Sequence, residues 1–524
     1  MQRADRAVNP ISKSRAELSP FDRTSWIHWI TLLFLLFAGV AARLWCLASK
    51  PFWFDEAFSV EVARLDWRNF LHLLWWREAN MSLYYVLLRG WLHFGQSPFF
   101  IRSLSVVISG GALLAVYWLG RLLYDRRVGL IAAALLACNA YDVRYAQEAR
   151  SYALFVLLAT VSSGFLIALL KHPSRRNWRG YVLASILAVY AHFYALLLIA
   201  AQWLAWRVAG RPGFDSVDPG TDDPARRKLR RAWIAIGVAV SPLLIFVAKT
   251  GAGPIKWIAR PGIHDLLRFA TDMTDGIPVI YLAACLLALV PLRKNILARG
   301  PGWETWRAQF LLIWLLFPIA LTVLLSFARP VFLARYMIFC IPAMAILAAA
   351  GLAGVRPAWV GAVFVCGMLL LSAQFVPFVY SHDFDEERDA SGAATDFILD
   401  HAAPGDAILF HIAETRVPYE FFRSLRAGTN TASPQYAGDL GPAIVFPNHG
   451  RGLDYKDFTG KPTEDLVRTA AAEHKRLWVM LMNNGPAGKP DPTTVMLTEV
   501  LPQSLPRVQS WQFAKVEVRL CSRP

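Results

Sequence analysis

The sequence predicts a polytopic α-helical membrane protein with a small α/β domain at its C-terminal end. Three observations carry this reading. Hydrophobic residues make up 56% of the 524 positions and charged residues only 18%. The apolar residues gather in long runs over the first 380 or so positions. Many of these runs approach the roughly 20 residues that cross a bilayer. The last 145 or so positions, in contrast, read like an ordinary soluble domain. Disorder, fibres and a disulfide scaffold do not fit this distribution.

Residues 1–24 are polar and basic, with Arg3, Arg6, Lys13, Arg15 and Arg23. The first apolar run, Trp26 to Leu47, has no small-residue cleavage site after it and reads as a retained anchor. Further candidate spans lie near 100–120, 128–141, 151–170, 179–191, 193–209, 232–248, 277–292, 309–327, 332–352 and 358–379, giving about 11 transmembrane helices. The stretch 179–209 reads equally as one long tilted helix or two short ones.

The formal net charge is +16, from 54 Lys and Arg against 38 Asp and Glu. The excess sits in short segments between apolar runs. Arg121, Arg126 and Arg127 form one cluster, and Lys171, Arg175, Arg176 and Arg179 a second. A third runs from Arg207 to Arg231, and Arg293, Lys294, Arg299 and Arg307 form a fourth. With the N-terminus in the cytoplasm, all four fall on the cytoplasmic side, as positive-inside bias requires. No nucleic-acid recognition motif accompanies the charge, so no nucleic-acid partner is expected.

This topology leaves residues 49–99 as a long first outer loop. Its Leu83–Phe94 segment is apolar but short and carries Arg89 and His93, so it reads as a helix at the membrane surface. Residues 55–77 have the same character, with Trp67, Trp75 and Trp76 among charges. Residues 211–224 read as a flexible cytoplasmic loop. In the C-terminal domain, 381–524, residues 390–401 and 463–474 read as helices, and 407–411, 476–482 and 513–520 as strands. The six cysteines form no CxxC pair and read as packing residues.

Ionisable residues collect at the outer face. Asp55 and Glu56 follow four uncharged residues just past the first span. Asp55 reads either as the N-cap of the next helix or as a base toward a hydroxyl. The second outer loop, residues 141–152, is short and dense in charge, with Asp142, Gln147, Glu148 and Arg150. His192 and Tyr194 occupy an outer turn between two apolar runs, where a lone His reads as hydrogen-bonded packing more often than as catalysis. Arg329 and Arg335 flank the entrance of a later span. Arg335 lies inside the apolar run, and a guanidinium there wants an anionic partner such as phosphate. A site facing the membrane surface for a lipid-borne anionic substrate fits better than the midplane site of a transporter.

The order and spacing of FWFDEAFS, LYYVLLRGW, GQSPFFIRSLSVV, GRLLYDRRVGL, YAQEARSYAL, YAHFYALLLIAAQ and RPVFLARYMIFCIPAMAIL are similar to one family. Over residues 25–412 the chain resembles GT-C membrane glycosyltransferases of the protein-mannosyltransferase and aminoarabinose-transferase type, including the RgtA/B/C/D-like group. The resemblance implies a bacterial inner-membrane enzyme that moves one sugar, with inversion, from a polyprenyl-phosphate donor to a hydroxyl acceptor at the outer face. The acceptor class stays open among glycolipid, polysaccharide and protein. It implies catalytic roles for Asp55, Glu56 and Glu148, and phosphate binding by Arg102, Arg329 and Arg335. Gln147, Arg150, His192 and Tyr194 are expected at the acceptor or sugar, and Asp142 is a further acidic candidate. Relatives often carry His-Pro-Pro where this chain has Asn80-Met81-Ser82. A divalent metal is compatible with the carboxylates, but no spacing specifies a site. The rival readings are a transporter or flippase of lipid-linked glycans and a receptor-like scaffold in envelope assembly.

Overall fold

The computed structural model describes residues 23–49, 52–208, 224–251, 258–290, 302–387, 390–428, 440–482 and 490–524. The basic residues at 3–15, the 211–223 loop and the cluster Arg293, Lys294 and Arg299 lie outside the described residues.

Helix α1 (Arg23–Leu44) leads into the first loop, which folds into three short helices: α2 (Phe54–Arg64), α3 (Trp67–Trp76) and α4 (Ser82–Trp91). The bundle continues with α5 (Pro98–Leu123), α6 (Arg126–Cys138), α7 (Ala140–Ala146), α8 (Tyr152–Lys171), α9 (Arg175–Ala191), α10 (Ala195–Val208) and α11 (Pro224–Thr250). It closes with α12 (Ile263–Met273), α13 (Pro278–Leu287), α14 (Trp303–Ala328), α15 (Ile341–Gly354) and α16 (Ala358–Glu387). Side chains set these boundaries. Ser97 caps α5 through Phe100 N–H, Asp125 caps α6 through Val128 N–H, and Asp66 accepts from Arg68 and Asn69 at the start of α3.

Among the described residues, seven helices are long and apolar enough to cross a membrane, or eight if α12 and α13 count as one bent span. The eleven sequence candidates divide accordingly. The 13-residue α6, 17-residue α9 and 14-residue α10 are shorter than the roughly 20 residues that span a bilayer. The ambiguous 179–209 stretch is two helices, separated by a turn at 192–194. The stretch between the candidate spans at 232–248 and 277–292 contains α12, which meets α13 at a 69° bend. Asp275 pins this elbow by accepting from the Asn139 side chain and Ala140 N–H. Large apolar residues such as Phe37, Val107, Val238, Val279, Leu324 and Trp359 are exposed on the bundle, a surface suited to lipid rather than water.

Inside the bundle, close crossings rest on small residues. A Cβ on Gly351 of α15 would lie 1.9 Å from the Ala284 carbonyl of α13. The Arg43 guanidinium, fully buried, bonds Ser109, the carbonyls of Gly39, Leu136 and Ala137, and the Asp142 carboxylate at 2.5 Å. Asp142 therefore staples α7 to the end of α1, a structural role where the sequence offered an acidic site candidate.

The C-terminal domain is a five-stranded sheet in the order β2-β1-β3-β5-β4. Its strands are β1 (Ala407–Phe410), β2 (Ala443–Phe446), β3 (Arg476–Met482), β4 (Arg507–Phe513) and β5 (Val516–Ser522). β1 runs parallel to β2 and β3, and β5 antiparallel to β3 and β4. Its helices are α17 (Ser391–His401), α18 (Arg416–Arg426), α19 (Glu464–Glu473) and α20 (Pro492–Val500). Alternation along β1 sends Ala407 and Leu409 toward the cluster with α19 and α20, and Ile408 and Phe410 toward the cluster with α17. The expected strand over 513–520 is a hairpin instead: Phe513 pairs with Val516, and Ala514 takes φ 43° in the turn. The polar–apolar alternation runs on through that turn, so periodicity alone does not reveal it. Asp406 and His411 are turn and strand-end residues of this fold: Asp406 accepts from Trp478 Nε1 at 2.8 Å, and His411 Nδ1 from Met482 N–H at 3.3 Å.

The glycine contact gives a direct test. Gly351→Ala should lower the thermal midpoint of the solubilised protein, at a cost of about 1–3 kcal/mol. Gly367→Ala in α16, with nothing within 4 Å, should leave the midpoint unchanged or raise it. Equal midpoints for both variants would refute the tight α13–α15 crossing.

Candidate functional site

The first turn of α2 sets the site. Trp53 is the helix N-cap, with no side-chain cap bond, so Asp55 lies within the first turn rather than capping it. Successive residues in a helix are rotated by about 100°. Asp55 and its neighbour Glu56 therefore face different surroundings.

Glu56 turns into the bundle. Its Oε1 accepts from Arg102 Nε at 2.8 Å and its Oε2 from Arg102 Nη2 at 2.6 Å, a two-pronged pair. Oε1 also accepts from Ala149 N–H at 2.9 Å, and Arg102 Nη1 donates to the Leu47 carbonyl at 2.8 Å. Both side chains have 0% exposure. The sequence placed Glu56 in catalysis and Arg102 on phosphate. The geometry instead spends them on each other, and their joint effect is to bind α2, α5 and the second loop together.

Asp55 points elsewhere. Its Oδ2 lies 3.6 Å from Arg150 Nη2 and 3.7 Å from Arg335 Nη2. Side-chain exposures are 19% for Asp55, 10% for Arg150 and 22% for Arg335, so this cluster is open where the Glu56 pair is closed. The separations exceed hydrogen-bond length, so the arginines are held near the carboxylate without being locked onto it. Arg335 also lies over the Trp53 ring at 5.8 Å.

Each arginine arrives by a local device. The Glu56–Ala149 bond fixes the turn that presents Arg150, and Gln147 ties the same turn to α1 by donating to the carbonyls of Arg43 and Trp45, each at 2.8 Å. Gln147, expected at the acceptor or sugar, is buried and holds this turn against the end of α1. Arg150 was expected at the acceptor and stands beside Asp55. Arg335 sits in a 3₁₀ turn, Ala334–Cys340, after a loop folded back onto the end of α14. Ser326 Oγ accepts from Val331 and Phe332 N–H, and Tyr194 donates its hydroxyl to the Val331 carbonyl. Arg329 caps the end of α14, is exposed, and has no ion pair to Asp55.

Aromatic rings line the approach. Tyr145 and Tyr152 lie 4.9 Å apart, His192 is 4.7 Å from Tyr336, and Tyr194 is 5.1 Å from Tyr336. His192 stacks on Phe155 at 5.0 Å, and its Nδ1 accepts from Tyr194 N–H. Burial, reinforced by Arg150 and Arg335, depresses the His192 imidazole to about 3 and keeps it neutral. Buried polar atoms without a hydrogen-bond partner include Asp55 Oδ2, Ser151 Oγ, Tyr152 Oη and His192 Nε2. Such a concentration is a mark of a ligand surface. Glu148 is buried, within electrostatic reach of Tyr84 and Tyr145. Asn80 accepts from Phe193 N–H at 3.0 Å and so joins the first loop to the 192–194 turn. Among the described residues no group of three or more His, Cys, Asp or Glu could hold a metal ion.

One ionisable residue of the site escaped the sequence reading. Glu78, between α3 and α4, lies in the field of Arg150, Arg77 and Asp55. Burial raises its carboxyl from the ordinary 4.5 to about 7; Arg150 and Arg77 oppose the rise and Asp55 adds to it. The only sequence signal was a carboxylate just ahead of an apolar helix. A raised folded-state value means that stability is fully present below about 4.5 and is lost as the pH rises through about 7. Glu78→Gln should remove that loss. Thermal midpoints at pH 5 and pH 8 should differ more for the wild type than for the variant, and an identical difference would show that Glu78 does not titrate there.

No family model matches the chain, and no curated protein matches it by sequence. Solved structures do share its fold. The crystal structure of ArnT from Cupriavidus metallidurans in the apo state is similar over 95% of this chain and 98% of that one, with TM-score 0.59 and 13% identity. ArnT from the same organism bound to undecaprenyl phosphate gives TM-score 0.56 at 13% identity, with the same coverage. The archaeal oligosaccharyltransferase AglB from Archaeoglobus fulgidus, in complex with an inhibitory peptide and a dolichol-phosphate, gives 0.50 at 12% identity, covering 93% of this chain and 73% of that one. The chain has the fold of the GT-C membrane glycosyltransferases.

Proposed function

We propose that this protein is an inverting glycosyltransferase of the bacterial inner membrane, moving a single sugar from a polyprenyl-phosphate donor to a hydroxyl acceptor at the outer face. The observation that supports it most is the open cluster of one carboxylate and two guanidinium groups, Asp55 with Arg150 and Arg335. ArnT with undecaprenyl phosphate and AglB with dolichol-phosphate share the fold, and a lipid phosphate is the donor chemistry that the two arginines suit.

In this reading the donor phosphate draws Arg335 and Arg150 from Asp55, which is then free to act as base. The acceptor oxygen attacks the anomeric carbon opposite the phosphate and gives its proton to Asp55. The carbon–oxygen bond to phosphate breaks, and the electron pair leaves with the phosphate oxygen. The two guanidinium groups stabilise that charge, so one base and one cationic cradle suffice. Glu148 and Glu78 border the site, and Ser151, Tyr152 and His192 offer polar atoms to sugar hydroxyls.

Charge distribution supports the orientation. Arg102 and Arg121 lie 19 residues apart on α5, about 28 Å along the axis. Around the Arg121 end, Lys171 bonds the Leu122 carbonyl, Arg307 the Leu123 carbonyl and Lys228 the Pro173 carbonyl. Basic residues thus collect at the end far from Asp55, and positive-inside bias makes that end cytoplasmic. The C-terminal domain, packed on α2, is then outside.

Asp55→Asn should reduce transfer from polyprenyl-phosphate sugars by about 100- to 10,000-fold while the protein stays folded. Glu56→Gln should act first on stability, since breaking a buried pair costs about 3–5 kcal/mol. Transfer assays paired with thermal denaturation separate the two. Full transfer by Asp55→Asn would remove Asp55 as the base. Movement of labelled lipid across vesicles without acceptor, and no transfer, would mark a flippase.

A further inference from the structure

Helix α2 is held from two sides. On one side Glu56 is bound to Arg102 and the second loop. On the other, residues around Asp55 dock into the C-terminal domain. Phe52 stacks on Phe421 of α18, with centroids 4.7 Å apart and planes at 20°. Phe54 packs against both the bundle core and the core of the C-terminal sheet. Phe58 meets Phe458 edge-on at 5.1 Å. Positions 54 and 58 share one helix face, and position 56 lies about 200° round from 54. Asp55 is left between the two grips in sequence, with its carboxylate toward Arg150 and Arg335.

The grip on the domain side is stiff. Arg416, fully buried, bonds Glu420 at 2.9 Å, Asp457 at 3.5 Å and the Pro447 carbonyl at 2.8 Å, fastening α18 to the turn at Tyr455–Phe458. Contacts continue along the first loop. Arg64 donates to Ser424 Oγ at 3.2 Å, the His72 ring lies 3.9 Å from that of Tyr455, and Arg77 pairs with Glu414. Every helix of the loop that bears Asp55, up to Glu78, therefore touches either α18 or the segments beside it.

We infer that the C-terminal domain is a positioning element of the reaction centre: through the Phe52–Phe421 stack and the seating of Phe54 and Phe58, it sets the angle at which Asp55 faces Arg150 and Arg335. Phe421 and Phe458 are positioning residues that touch neither substrate nor reacting atoms. The inference rests on Asp55 being the base. It differs from a docking role, in which the domain would hold the acceptor and leave the carboxylate alone.

Steady-state kinetics on the full-length protein in detergent, with a polyprenyl-phosphate sugar and a hydroxyl acceptor, test it. Phe421→Leu and Phe421→Ala remove the stack, and Phe421→Tyr keeps it. The expected result is a fall in kcat of about 10- to 100-fold for Leu and Ala, with donor KM and acceptor KM nearly unchanged and the rate largely retained by Tyr. If Phe421→Ala shows no folding transition, Phe421→Leu and Phe52→Leu, which keep most of the buried volume, give the answer. Wild-type kcat in Phe421→Leu and Phe52→Leu, or a raised acceptor KM at unchanged kcat, overturns the inference. A wild-type protein without transfer activity would instead sink the proposed function.

Discussion

The closed pair of Glu56 and Arg102 is the interaction on which the site depends. A carboxylate and a guanidinium with no exposure are stable only when their bonds are filled, and here they are filled by each other, by Ala149 N–H and by the Leu47 carbonyl. The pair joins α2, the start of α5 and the second loop at one point. The Glu56 side of α2 is thereby anchored, and so is the turn that carries Arg150.

Two adjacent carboxylates thus receive opposite surroundings. Glu56 is neutralised in a dry, bidentate contact. Asp55 is partly exposed, with Arg150 and Arg335 at 3.6 and 3.7 Å, beyond hydrogen-bond length. In the proposed reaction the arginines of this cluster pass to an incoming phosphate, which a pair built like Glu56 and Arg102 would not allow. Neutral His192 and the surrounding tyrosines add polar atoms and flat faces without adding competing charge.

Much of the architecture was legible from hydropathy, because a long apolar run leaves few alternatives to a buried or lipid-facing helix. Asp55 and Arg335 were legible because charge beside or within such runs is costly and calls for a partner. The division of labour between Asp55 and Glu56 was not. It follows from a 100° step on a helix and from Arg102, 46 positions away in sequence. Glu78 was hidden for a similar reason: its proximity to Arg150 exists only once the first loop has folded. Helix α12 went unread because its amphipathic pattern looks like a polar loop beside apolar spans, and the β4–β5 turn because alternation continues through it. Asn80 shows the converse case: hydropathy gave it no role, and in the structure it accepts from Phe193 N–H.

A cryo-EM structure of the protein with a polyprenyl phosphate bound bears most directly on the cluster at Asp55. The phosphate oxygens should lie within hydrogen-bond distance of Arg335 and Arg150, with both guanidinium groups turned from Asp55 toward the ligand. Phosphate seated on Arg329 alone, or at the Arg121 end of the bundle, with Asp55 still holding both arginines, would contradict the arrangement.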